Sequence, residues 1–282
     1  MDTLCKEFSS NPNFSIVTIT FNHLKGLMRT YESIIAQTYK DYEWIVIDGG
    51  SSDGSKDFLI QHQKNISYWC SEPDNGVYHA MNKGIKHAHG DYLIFMNSGD
   101  SFYNPDVLQN VVNLNCTSDI LSGLVYYQDD GKQMRWYHDN VFIQLYEDTL
   151  NHQGSFIKKI IFDKFGGFDE SYRIVSDWKF FLDTIVFGDA TFQYTTLPIA
   201  LQERGGISLN TKYNEVGHNE RQEVLSMRYS RRQLREIARY DKYENCRAAQ
   251  RAVMLVQRGG IAEFLAKAFM KLLDKLFLKE SL

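Results

Sequence analysis

Proline is scarce, at four in 282 residues, and no low-complexity tract is present. Long disordered or polyproline linkers are therefore excluded. The four cysteines, Cys5, Cys70, Cys116 and Cys246, are scattered and form no CxxC pair. That spacing suits neither a disulfide framework nor a zinc cage, and predicts reduced thiols in a cytoplasmic protein. No apolar run reaches the ~18 residues of a membrane-spanning helix. The opening MDTLCKEFSSNPNF carries no apolar core, so no secretory signal is expected. Internal repeats are absent, which removes solenoids and propellers. No sheet motif of interleaved aromatic and basic residues is present, so nucleic-acid binding has no support.

What remains is ordinary globular material, 43% hydrophobic and 23% charged. The length allows one large or two small domains. The net charge of −4 hides an asymmetry: residues 212–282 hold 15 Lys and Arg against 9 Asp and Glu. An acidic body thus carries a basic tail, which is either a solvated helical face or a surface for an anionic partner. The most informative stretch is GDYLIFMNSGDSF, residues 90–102, where an apolar run ends abruptly in Asn97-Ser98-Gly99-Asp100. FSIVTITFN ends likewise at Asn22, and EWIVID at Asp48. Buried strands with polar C-terminal tips are how open α/β sheets build ligand sites. Three such tips predict one nucleotide-type pocket and hence an enzyme.

Short apolar runs alternate with helical patterns through the first half. Strands are expected at 14–21, 43–48, 66–70 and 91–96, with helices at 24–37, 55–63, 78–87 and from Pro105 to Leu114. In the first helix Leu27, Met28, Tyr31, Ile34 and Ile35 share a face; Ser52 or Ser55 is the expected cap of the second. This order implies an α/β fold with a mostly parallel, doubly wound sheet. Further on, 119–128 and 131–137 read as strands of a mixed extension joined by a turn. Residues 155–161 read as a strand, 176–187 as a helix, 191–196 as an edge strand and 205–210 as a loop. From Tyr213 the pattern is helical. The expected division is a domain at 1–211 and a basic helical extension at 212–282.

FSIVTITFN, Gln37-Thr38-Tyr39, IVIDGGSSDGS, SEPDNGVYHAMNKGIKHAHGDYLIFMNSGD, NHQGSF, FGGFDESY and SDWKFF occur in that order. The ordered set resembles glycosyltransferase family 2, of the GT-A fold and of the bacterial exopolysaccharide or capsule type exemplified by colanic acid and amylovoran enzymes. It covers roughly residues 14–187. The resemblance implies a GT-A fold (Rossmann-like, with a mixed sheet extension) followed by C-terminal helices. It also implies an inverting, metal-dependent transfer from a nucleotide-diphospho-sugar, with UDP favoured. The implied acceptor is a glycan or polyprenyl-diphosphate-linked oligosaccharide in surface polysaccharide synthesis.

The same resemblance assigns residues. Thr20 and Asn22 would line the nucleoside. Asp48 would accept from the base or position its loop, and Asp53 would sit near the base or cap the next helix. A carboxylate suits a uracil N–H or ribose hydroxyls because it only accepts. The family often has a second Asp where Gly49 stands. Asp74 would bind sugar hydroxyls, and Lys83 would face the diphosphate or be solvated; His79 reads as a surface-helix histidine.

Asn97, Ser98, Gly99 and Asp100 occupy the metal-binding region, commonly Asp-Ser-Asp-Asp. On this resemblance Asp100 would be the metal ligand for Mn²⁺ or Mg²⁺, with Asn97 toward the ribose, since one carboxylate plus substrate phosphates can hold such an ion. Asp177 matches the catalytic base, with Ser176 where the family has Glu. Asp169-Glu170 would place that base. His152 would approach the donor phosphates or the acceptor, or be structural. Trp178 and Tyr172 would stack on a sugar or pack in the core. Arg204, in a loop with Gly hinges, would clamp the diphosphate.

A sugar nucleotidyltransferase would need a Gly- and Arg-rich loop after the first strand, which Phe21-Asn22-His23-Leu24 does not supply. A non-catalytic protein of the same fold that binds sugar nucleotides or glycans is the alternative. Residues 260–282 form an amphipathic pattern, with Lys267, Lys271, Lys275 and Lys279 in one stripe. Such a helix lies on an anionic membrane surface or packs against itself or a second subunit. The expected location is the cytoplasm, with peripheral contact at the inner face of the membrane.

Overall fold

The structure is a computed structural model that describes residues 12–134, 140–206 and 213–244. Its core is an eight-stranded sheet of order β3-β2-β1-β4-β7-β6-β8-β5. β1 (Phe14–Thr20), β2 (Tyr42–Asp48), β3 (Tyr68–Ser71) and β4 (Tyr92–Phe95) run parallel. Their connections carry α1 (Leu24–Ile35), α2 (Ser55–His62) and α3 (Val77–Lys86). β1 and β2 are nearly continuous apolar runs because both sheet faces are covered. Ile16, Val17, Trp44, Ile45, Leu93 and Ile94 are buried, and each such side chain contributes about 1.5–3 kcal/mol. The Trp44 indole donates to the Thr18 hydroxyl at 2.9 Å, which donates to the Met96 carbonyl at 2.8 Å. The Trp44 and Thr18 polar atoms buried in this core are thereby paired.

The second half departs from pure α/β. β5 (Ser101–Phe102) and α4 (Val107–Asn113) precede β6 (Ile120–Tyr127). β7 (Ser155–Lys158) is antiparallel to both β4 and β6. β8 (Phe192–Gln202) runs parallel to β6 and antiparallel to the short β5.

Several expectations are corrected here. The edge strand expected at 191–196 is longer and lies inside the sheet between β6 and β5. The strand expected at 155–161 stops at Lys158, where α6 (Lys159–Phe165) begins. Of the described residues 131–134, Gln133 forms an isolated bridge to Tyr126, while 135–139 lie outside the described residues. The helix starting at Pro105 begins instead at Val107. The helix from Ser176 is α7 (Ser176–Phe181) continued by a π turn, Leu182–Val186. α5 (Val141–Glu147) was not anticipated.

Neither Ser52 nor Ser55 caps α2. Its N-cap is Gly54 at φ 98°, and the Asp53 carboxylate receives the Ser55 N–H at 3.1 Å. On α1 the buried face is Gly26, Leu27, Thr30 and Ile34, while Met28 is 43% exposed.

α8 (Asn214–Arg228) and α9 (Arg231–Glu244) follow the sheet. The chain divides into two compact units whose boundary falls between Arg221 and Gln222. Among the described residues no helix is long and apolar enough to cross a membrane. The amphipathic stretch at 260–282, Cys5, Cys246 and residues 207–210 of the expected loop lie outside the described residues.

Candidate active site

The polar tips of β1, β2 and β4 meet at one sheet edge, with Thr20 in register with Asp48. Asp48 is fully buried and accepts from the Ser51 N–H and hydroxyl and, at 2.6 Å, from the Ser71 hydroxyl. It therefore shapes the Asp48–Ser51 turn. Asn22 takes a left-handed conformation at φ 49°, which asparagine tolerates. Its Oδ1 receives the Ser52 N–H at 2.8 Å. Asp53 receives the Leu24 N–H at 2.7 Å and the Ser55 hydroxyl at 2.7 Å. Burial alone would raise its carboxyl, but these bonds outweigh it and hold it below the usual value. Asp53 thus ties the first turns of α1 and α2 together. Thr20 Oγ1 is buried without a partner at this edge. Phe21, which sequence reasoning did not select, is 65% exposed beside it.

Asp74 lies next to Gly49, where a Cβ would come within 3.1 Å of Asp74 Oδ2. Its other oxygen is 2.7 Å from Lys83 Nζ and 3.4 Å from His79 Nδ1. Lys83 also pairs with Glu72 at 2.7 Å. Both carboxylates hold the Lys83 ammonium above its ordinary value against the opposing effect of burial. His79, expected on the surface, is only 26% exposed because it faces Asp74.

The Asn97–Asp100 turn hangs on α1. The Thr30 hydroxyl lies 2.6 Å from the Asp100 carbonyl and 3.2 Å from the Asn97 carbonyl, and it accepts the Gly99 N–H. Ser98 donates its hydroxyl to the His23 carbonyl at 3.1 Å. Gly99 sits at φ 103°, and a Cβ there would overlap the Glu203 carboxylate. Glu203 is in turn 3.0 Å from Arg29 and 3.2 Å from His23. Thr30 and Glu203 carry no motif signal, and sequence reasoning missed them.

Asp100 is 5% exposed. Burial pushes its carboxyl up to about 7, against the lowering effects of His152, the Glu203 N–H and the Gln153 side chain. Asn97 Oδ1 is buried and unpartnered. Among the described residues no three His, Cys, Asp or Glu side chains gather into a metal cage. The arrangement nevertheless fits a hard cation. One buried carboxylate short of positive charge and one orphaned amide oxygen share a turn, leaving the remaining positions to phosphate oxygens.

The Asn97 amide meets His152 Nε2 at 3.2 Å, and His152 Nδ1 meets Asp177 Oδ2 at 2.9 Å. Asp177 Oδ1 receives the Tyr78 hydroxyl at 3.0 Å and the Trp178 N–H at 2.9 Å. Burial would raise the Asp177 carboxyl, but His152, the Trp178 N–H and the Tyr78 hydroxyl bring it below the ordinary value. Asp177 is therefore ionised at neutral pH, and as an acceptor it draws the proton of His152 to Nδ1. Its side chain keeps 15% exposure and lines a pocket of about 430 Å³ with His152, Gln202, His218 and Arg221.

Tyr172 and Trp178 are buried; Trp178 backs the pocket wall with its ring covered by the Arg221 guanidinium. Asn82 holds the Gly167–Glu170 segment through Phe168 and Glu170 at 2.7–2.8 Å. Arg204 pairs with Asp129 at 2.9 Å and Asp130 at 3.0 Å and stacks on Tyr127.

A family model described as Glycosyl transferase family 2 matches residues 15–173. Over 181 residues the chain is 38% identical to an uncharacterized glycosyltransferase of Mycobacterium tuberculosis, covering 62% of this chain and 69% of that one. It is 30% identical over 205 residues to the PGL/p-HBAD biosynthesis glycosyltransferase of Mycobacterium bovis, covering 70% and 79%.

Among solved structures, S. aureus TarS 1-349 in complex with UDP-GlcNAc superposes with TM-score 0.58 at 17% identity, covering 72% of this chain and 64% of that one. Against another TarS structure the chain spans 36% of the length. The mannosyltransferase PcManGT of Pyrobaculum calidifontis, in complex with GDP-Man and Mn2+, gives TM-score 0.60 at 15% identity, covering 96% and 81%. The sheet with its polar strand tips is thus GT-A-like, and the chain belongs to glycosyl transferase family 2.

Proposed function

We propose that the protein is an inverting glycosyltransferase that moves a sugar from a nucleotide-diphospho-sugar, UDP-linked by preference, to an acceptor hydroxyl. One observation carries this reading: the chain Asn97–His152–Asp177 links the donor-side turn to an ionised carboxylate on the pocket wall. Asp177 is the base. It takes the acceptor proton as the oxygen attacks the anomeric carbon, and that proton becomes acidic only in the transition state. Thr20, Asn22, Asp48 and Asp53 shape the nucleoside end, and Asp74 meets sugar hydroxyls. Asp100, with Asn97 Oδ1 facing the ribose or the ion, would hold Mn²⁺ or Mg²⁺. Such an ion would offset the charge that develops on the departing diphosphate.

The acceptor class is a glycan or polyprenyl-diphosphate-linked oligosaccharide of surface polysaccharide synthesis. The exposed Arg231, Arg232 and Arg235 of α9 support peripheral contact with anionic lipid. Liposome flotation of the full chain against one truncated before the basic tail tests that contact. The UDP complex of TarS and the Mn2+ complex of PcManGT support the donor and metal proposals by fold alone.

Calorimetry with UDP, GDP, dTDP and CMP, with and without Mn²⁺, tests the donor site. The expected result is UDP-selective, metal-dependent binding that Asp100→Ala abolishes. UDP binding with no transfer to any glycan acceptor would instead mark a non-catalytic sugar-nucleotide binder.

A further inference from the structure

α8 lies beyond the family match, which ends at residue 173, yet one of its faces lies against the segment that delivers Asp177. Glu220 accepts three consecutive backbone N–H groups: Arg173 at 2.8 Å, Ile174 at 2.9 Å and Val175 at 3.2 Å. Val175 is the N-cap of α7 and offers no side-chain cap of its own. A Cβ on Gly217 would come within 3.2 Å of Ile174, so helix and segment are in close contact. Arg221 donates to the carbonyls of Leu145, Tyr146 and Asp148 at 2.8–3.0 Å, closing the end of α5. Its guanidinium lies 4.2 Å from the Trp178 ring centroid, and the Trp178 indole donates to the same Leu145 carbonyl at 2.6 Å.

Three charge-assisted bonds to successive amides fix a backbone far more tightly than a single contact. The fixed segment includes the Ile174 carbonyl, which receives the Tyr78 hydroxyl that also reaches Asp177. Asp177 then meets His152.

We propose that Glu220 is a positioning residue for the transfer: by holding residues 173–175 it sets Asp177 against His152. This rests on the reading of Asp177 as the base. Glu220 touches no substrate and acts through the backbone of the α7 entry. The carboxylate is required because two oxygens must serve three donors; an amide offers one acceptor oxygen and presents donors of its own to those N–H groups.

The test uses the full chain and Glu220→Gln, a shape-conserving variant, with Glu220→Ala as the second. Long-range proton–nitrogen NMR of the imidazoles, at about pH 8 where a free imidazole is neutral, reads the His152 tautomer, assigned by its loss in His152→Gln. The wild type is expected to carry the proton on Nδ1, and both Glu220 variants are expected to lose that preference. An unchanged His152 signal in both variants overturns the proposal.

Turnover of the UDP-sugar that the wild type uses fastest gives the second readout. kcat falls about 10–100-fold in Glu220→Gln, while calorimetric UDP affinity stays within about twofold. In an Asp177→Asn background the Glu220 change has no further effect, as expected for residues acting through one another. An additive loss there means that Glu220 acts elsewhere. If the wild type turns over no nucleotide sugar, the transferase reading fails, and the imidazole spectra still decide the positioning role.

Discussion

Gly99 shows how much one missing side chain can decide. Its backbone is left-handed at φ 103°, and the space where a Cβ would stand holds the Glu203 carboxylate. Gly99→Ala therefore meets both backbone strain and a charged group, a cost of about 1–3 kcal/mol. The expected outcome is a lower urea midpoint and weaker UDP binding; an unchanged midpoint contradicts the packing described. Asp53 makes a different prediction. Its folded carboxyl is depressed below 3.8 by the bonds from Ser55 and Leu24. Its stabilisation is present above the unfolded value and is lost as pH falls through the folded one. Asp53→Ala should cost about 1 kcal/mol at neutral pH, typical of a lost helix cap. The gap from wild type should close in urea titrations as pH falls through that depressed folded value.

At the scale of elements, α1 serves the site more than its exposed face suggests. Thr30 places in the core a hydroxyl that donates to the Asp100 carbonyl and accepts the Gly99 N–H. Thr30→Val keeps the shape and strands those groups, so about 1–3 kcal/mol of stability should be lost. Metal-dependent UDP affinity should drop with it, read by calorimetry.

Elements differ in how plainly the sequence announces them. β1, β2 and β4 are legible because a strand buried on both faces is an unbroken apolar run with an abrupt polar end. α6 is not: Lys159-Ile160-Ile161-Phe162 continues the β-branched texture of β7, and the turn into a helix follows from packing and from Gly166, at φ 86°, ending it. The first half of β8 is half-buried or exposed throughout, so it reads as an edge. In the site, Asp177, His152 and Asp100 are legible singly, from strand tips and resemblance. Their linkage is not, because the Asp177–His152 bond joins residues 25 apart, on a short helix and a single 3-10 turn. Glu220 sits in a helix whose composition looks like any solvated surface.

At the scale of the whole molecule, the strand tips concentrate acid where a phosphate-rich donor would sit. Among them Asp100 is pushed up to about 7 by burial. Because its folded value is raised, its stabilising contribution is present below the unfolded value and is lost as pH rises through about 7. Wild-type stability should therefore decline relative to Asp100→Asn between about pH 4 and 7, and Mn²⁺ with UDP should restore it by binding the folded state. A parallel pH profile for the two proteins contradicts the burial argument.

Removal of the acceptor proton by Asp177, reached from the donor turn through His152, is the step on which the proposed transfer depends. It is tested most directly by single-turnover transfer from the preferred UDP-sugar, comparing wild type with Asp177→Asn. The chemical step is expected to fall about 10²–10⁴-fold with UDP affinity unchanged. A variant that transfers sugar at the wild-type rate would contradict it.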